Sequence, residues 1–200
     1  MSDQPPEPAS NRPYNWANDS DNGPEPEPDE ITAQVPADET DVPHPVNWRT
    51  LTAEDAEYEW LALNEWVDWI RHEFGLPASV IPPYWHRHPE LVWELSALHL
   101  HWLGAYDLAQ HASAPIGWLA DFHATQARLR EWVALSGTRL DRDRPTRQTV
   151  WPGEDPQPAE AERPIVNRDE EFVAFVIADV NRRAEDEARF LRRDEAGEDE

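Results

Sequence analysis

An all-α fold, a three-helix antiparallel bundle with a fourth C-terminal helix and acidic disordered tails, is predicted by three features of this chain. Four stretches carry apolar residues at intervals of three and four, the spacing of one helix face. Each of them opens on a capping residue or a proline, and glycine or proline follows the first and third. Eight of the 11 tryptophans fall between residues 51 and 140, which places most of the buried surface there.

Residues 1–45 are read as an acidic, proline-rich tail. Residues 1–50 hold 10 of the 20 prolines and 11 acids against Arg12 and Arg49, too polar a composition to build a core. Tyr14 and Trp16 are isolated aromatics within it. The helical domain spans 46–140. Its first helix starts at Thr52, whose Thr-Ala-Glu-Asp sequence resembles a capping box, and stops near Phe74 before Gly75 and Pro77. Trp60, Leu63, Val67, Ile70 and Phe74 form its stripe. The loop LPASVIPPYWHRHPE is kept from being helical by Pro77, Pro82 and Pro83.

His88 takes the N-cap position of the second helix, with Pro89 at the first helical position and Glu90 facing the positive end of the dipole. Leu91, Leu95, Leu98, Trp102 and Ala105 line one side, and Val92, Leu100 and Leu103 make the helix apolar on several sides, as a central helix would be. Pro115 opens the third helix, with Ile116, Leu119, Phe122, Leu129 and Val133 as the expected core face and Gly137 as the stop. Residues 141–166 read as a linker rich in Arg, Asp and Pro. Asn167, followed by Asp169 and Glu170, caps a last helix over 167–193, whose stripe is Phe172, Val173, Val176, Ile177, Val180 and Ala184. Residues 194–200 form a solvated acidic tail.

The absence of cysteine excludes disulfides, thiolate nucleophiles and Cys-ligated zinc. No apolar run approaches the length of a membrane span and the first residues resemble no secretory signal, so a cytoplasmic protein is expected. The formal net charge is -24, which disfavours direct binding to nucleic acid or to an anionic membrane surface and favours a basic or DNA-binding protein as partner. One basic stretch runs against this, Arg128, Arg130, Arg139, Arg142, Arg144 and Arg147, although Asp141 and Asp143 interrupt it.

The histidines are the inventory closest to catalysis or metal binding. His86 and His88 converge if the loop is extended, and His123 then supplies a third ligand, with Glu90 or Asp121 as a carboxylate. His99 and His101 point about 200° apart on a helix, and His88 and His99 are separated by about 16 Å of helical rise, so neither pair grips one ion. Glu65 and Asp68 are neighbours on the first helix, the spacing of an acid and base pair, but solvated helix faces look the same. There is no phosphate-binding glycine loop and no nucleophile elbow. No catalytic residue and no cofactor is assigned. Tyr84, Trp85, His86, Arg87 and His88 are the expected interaction surface, with Trp85 the most exposed of the domain's indoles and the other tryptophans mainly core.

The segment PPYWHRHPELVWELSALHLHWLGAYD, followed by PIGWLADFHATQARLREWV, resembles a family of actinobacterial proteins of unknown function carried by plasmids, integrative elements and phages. The resemblance rests on Trp85, His88, Pro89 and Glu90 opening a helix, and on Trp118, Asp121, Phe122 and His123 downstream; it covers residues 55–136. It implies an accessory protein of a mobile element and brings no activity. All 17 basic residues are arginine, the usage of a GC-rich genome, and this agrees. The expected function is therefore a non-enzymatic interaction protein. An acidic mimic of DNA that inhibits a DNA-binding protein and a metal protein built on histidine are the alternatives.

Overall fold

The computed structural model describes residues 44–146, 148–155 and 161–198. The acidic segment 1–43, with Tyr14 and Trp16, and Arg147 lie outside the described residues. Four helices make up the fold: α1 Ala53–Glu73, α2 Pro89–Ala105, α3 Ala114–Ser136 and α4 Arg168–Glu198. The chain is all-α apart from one short antiparallel pair, β1 Arg142–Asp143 with β2 Arg163–Pro164.

The starts and stops follow local chemistry. The Thr52 hydroxyl accepts the Asp55 amide at 3.1 Å, which caps α1. Asn167 Oδ1 accepts the amides of Asp169 and Glu170 at the head of α4. Gly137 ends α3 at φ 75°, a left-handed conformation that favours glycine. α4 runs to Glu198, so residues 194–198, expected as a solvated tail, are helical.

α2, expected as the central helix, lies between α3 and α1, and α1 in turn lies between α2 and α4. Antiparallel to α1 lies α4: Asn64 and Asp68 meet Arg168, Trp60 meets Phe172 and Phe175, and Ala53 meets Glu187. On its other side the contacts with α2 advance in the same sense, Trp66 with His99 and Trp69 with Trp102, so the proline-rich segment after α1 carries the chain back before α2 begins. α3 then packs antiparallel on α2, with Trp118 Nε1 donating to the Leu98 carbonyl and Arg128 pairing with Glu94. The core is aromatic at its centre. Trp60 packs against Trp48 in a tilted arrangement, ring centroids 4.3 Å apart, and touches Trp85, Phe172 and Phe175.

Two expected faces are rotated. In α3 the buried row is Trp118, Phe122, Thr125, Leu129, Val133 and Ser136, whereas Ile116 and Leu119 are exposed. The bulky indole of Trp118 fills the space over α2 and over Phe74 and Phe122, which fixes the helix's rotation. In α4 the row facing inward is Phe172, Phe175, Val176 and Val180, and Val173 and Ile177 face outward, because the two phenylalanines engage Trp60 and His86. The stretch expected as a plain linker is anchored instead: β1 carries Asp143, which is buried.

Candidate functional site

The segment Trp85-His86-Arg87-His88 is a short 3₁₀ turn running into the N-cap of α2, and it lies inside the fold. Tyr84, Trp85, His86 and His88 are buried, with Trp85 1% and His88 1% exposed, and only Arg87 is half-buried. The surface expected from these residues is thus a core junction. Pro82, Pro83 and the apolar Val80 and Ile81 pack down onto the helices, and Trp85 follows them in.

The two histidines of this turn diverge. His86 Nε2 meets Glu171 on α4 at 2.5 Å, and Arg87 Nε donates to the other oxygen of the same carboxylate. Burial pushes the pKa of His86 down, and Glu171 offsets only part of that effect. The ring is therefore neutral at pH 7 and donates from Nε2, which leaves Nδ1 as a bare lone pair, consistent with its lacking a hydrogen-bond partner among the described residues.

His88 faces the other way. Its Nε2 meets Asp143 Oδ1 at 2.9 Å and its Nδ1 lies 3.3 Å from Thr146 Oγ1. Thr138 Oγ1 donates to Asp143, and Thr146 Oγ1 donates to Glu90. Burial opposes a charge on His88, but the hydrogen bond to Asp143 and the nearby carboxylate of Glu90 outweigh it and hold the pKa up at about 9. His88 occupies the N-cap position of α2 without capping it through its side chain.

The order Asp143, His88, Thr146 has the outline of an acid–base–nucleophile triad, and its protonation argues the opposite role. A general base must be neutral to take a proton from the hydroxyl. With a pKa near 9 the imidazole is charged at pH 7, so both ring nitrogens donate and the Thr146 hydroxyl is turned towards Glu90. The set is a buried ion pair with its hydrogen bonds completed, and it fastens the segment after α3 to the start of α2.

The remaining expected ligands are elsewhere. His123 is exposed on α3, Asp121 pairs loosely with His101 at 3.5 Å, and Glu90 serves Thr146. The expected convergence of His86, His88 and His123 is not formed, because each buried ring is committed to its own carboxylate. No group of three His, Asp or Glu side chains suited to a metal ion occurs among the described residues. The Glu65 and Asp68 pair is likewise divided, since Asp68 binds Arg71 and Arg168.

What the structure does expose is an acidic and aromatic face on α1. Tyr58 is 71% exposed, Leu61 54% and Trp69 39%. Glu57, Glu65 and Glu73 stand among them, exposed and without an ion pair to any described residue. Beside this face, His99 of α2 lies stacked on Trp66 at 5.0 Å and next to Trp102, and burial alone pushes its pKa down to about 4. In the sequence Leu61, Trp66 and Trp69 widen the α1 stripe and so read as core; the structure buries Trp66 and leaves Leu61 and Trp69 exposed. Among the described residues no helix is long and apolar enough to cross a membrane. No family model, curated protein or solved structure matches the chain.

Proposed function

We propose that this protein is a non-catalytic interaction module that binds a basic protein partner through the outward face of α1. The observation carrying this reading is the set of exposed Tyr58, Leu61 and Trp69 interleaved with Glu57, Glu65 and Glu73, which form no ion pair with any described residue. Large aromatic side chains supply binding energy at the centre of interfaces, and carboxylates around them select a cationic partner and speed its encounter. The chain's net charge of -24 extends the same attraction beyond the contact. A cytoplasmic role as an accessory protein of an actinobacterial mobile element belongs to the proposal and rests on the Trp85-to-Glu90 and Trp118-to-His123 motifs.

The aromatic residues favour a protein partner over mimicry of DNA. Glu57, Glu65 and Glu73 are spaced by eight residues, about 12 Å of helical rise each, whereas duplex DNA carries one charge per about 1.7 Å of axis. The indole and phenol between them have no counterpart on a phosphate backbone.

The test is affinity capture from an actinobacterial lysate with the full chain, beside Glu57→Lys/Glu65→Lys/Glu73→Lys and Leu61→Arg variants. The proposal expects a basic protein retained by the natural chain and lost with both variants, while their helical circular dichroism stays unchanged. A partner retained equally by the charge-reversed chain would overturn it.

A further inference from the structure

An open cleft of about 430 Å³ is walled by the last turns of α3, the segment 137–144 and the loop residues Ala78 and Ser79. Its lining is largely apolar, with Val133, Ala134 and Leu140, and among the described residues no carboxylate lines it. Three guanidinium groups do: Arg130, Arg139 and Arg144. This is a concentration of positive charge on a chain whose formal charge is -24.

These arginines are unequally occupied. Arg144 pairs with Glu162 at 2.8 Å and Arg130 bonds the neutral Gln126 at 3.2 Å. The Arg139 side chain has no hydrogen bond or ion pair with any described residue. The cleft is held in shape by residues already described. Thr138 fixes its rim through Asp143 and the Arg144 backbone, and Gly137 leaves room for Arg144, whose Nη1 would lie 3.2 Å from a Cβ at that position.

We propose that this cleft binds a small amphiphilic anion, a carboxylate or phosphate joined to an apolar body. The volume falls in the range of small-molecule sites, and an apolar floor with a few convergent polar groups is their usual construction. Guanidinium groups pair with carboxylate and phosphate oxygens in a fork geometry, and two of the three here face no competing carboxylate. The apolar body lies on Val133, Ala134 and Leu140 while the anion engages Arg139 and Arg130. The site is independent of the α1 face, and its failure would leave that proposal untouched.

The experiment is a titration of the ¹⁵N-labelled full chain with octanoate, octyl phosphate, inorganic phosphate, octanol and hexaglutamate, each followed by amide shifts and calorimetry. Octanoate or octyl phosphate is expected to shift the amides of Ser79, Ala134, Gly137 and Arg139, with octanol and inorganic phosphate binding about tenfold or more weakly. Arg130→Gln/Arg139→Gln should weaken the amphiphile by about tenfold with the thermal midpoint unchanged, since both side chains are exposed. Comparison of octanoate with octyl phosphate identifies the anion. Equal affinity in the double variant, shifts confined to other residues, or tighter binding by hexaglutamate or inorganic phosphate than by either amphiphile would overturn the proposal.

Discussion

Replacing His88 by Leu tests the energetics of the buried ion pair. The substitution leaves Asp143, 3% exposed, with only the Thr138 hydroxyl among the described residues to answer its charge. Removing one partner of a buried pair costs about 3–5 kcal/mol, because the other charge stays desolvated. The sign of the pH dependence follows from the raised pKa. A histidine at 6.5 when unfolded and about 9 when folded gives its full stabilisation below pH 6.5 and loses it as pH rises through 9, a change of roughly 3 kcal/mol. Urea unfolding at pH 6, 8 and 10, followed by the fluorescence of the 11 tryptophans, reads both quantities. The difference between natural chain and His88→Leu should be largest at pH 6 and shrink by about 3 kcal/mol at pH 10. His88→Leu/Asp143→Leu, which removes both charges, should recover most of the loss. A single variant within about 1 kcal/mol of the natural chain at pH 6, or a double variant no better than the single, would refute this account of the pair.

Three further outcomes follow from other contacts. Glu171→Gln withdraws the charge that joins α4 to His86 and Arg87; it should cost about 2 kcal/mol and speed amide exchange across Phe172–Val180, measured by hydrogen exchange. Burial raises the pKa of Glu171, but the hydrogen bonds of His86 and Arg87 outweigh this and lower it, so its share of stability is present above the usual carboxylate range and is lost on acidification. Thr52→Ala removes the α1 cap and should cost about 1 kcal/mol in the same urea assay. In an NMR titration the His99 ring should stay neutral down to about pH 4; a midpoint near 6.5 would contradict the stacked, desolvated position between Trp66 and Trp102.

Helix boundaries were legible because they depend on neighbours in the chain. Thr52, Pro89, Gly137 and Asn167 each act within one helical turn, and each stands where its helix starts or stops. The docking of α4 was not legible, since its charged surface and narrow stripe suit either this domain or a partner; Trp60 Nε1 donating to Asp179 and Arg183 reaching the carbonyls of Trp48 and Leu51 settle it across more than a hundred residues. The burial of Asp143 was hidden for the same reason. Within RLDRDRPTR it looks like one more solvated acid, and only His88, 55 residues earlier, makes it an interior residue. The apolar Val80, Ile81, Tyr84 and Trp85 mark the proline-rich loop as one that packs on the core, and it does; the depth of Trp85, the indole expected to be the most exposed of the domain, is not legible locally, because Trp60 and Phe172, distant in sequence, pack against it.

The histidine-rich turn and the acidic helix face thus divide the molecule's chemistry. His86 and His88 join α4 and the segment after α3 to the centre of the domain, and the proposed capture of a basic partner falls to the carboxylates and aromatic rings of α1. The most direct test of that division is photo-crosslinking in an actinobacterial cell, with p-benzoylphenylalanine placed at position 61 of the full chain and, as a control, at exposed position 123 on α3. A basic protein crosslinked from position 61 and not from 123, and released when Glu57, Glu65 and Glu73 become Lys, is the predicted result. Crosslinks from position 123 alone, or a position-61 product indifferent to the charge reversal, would contradict it.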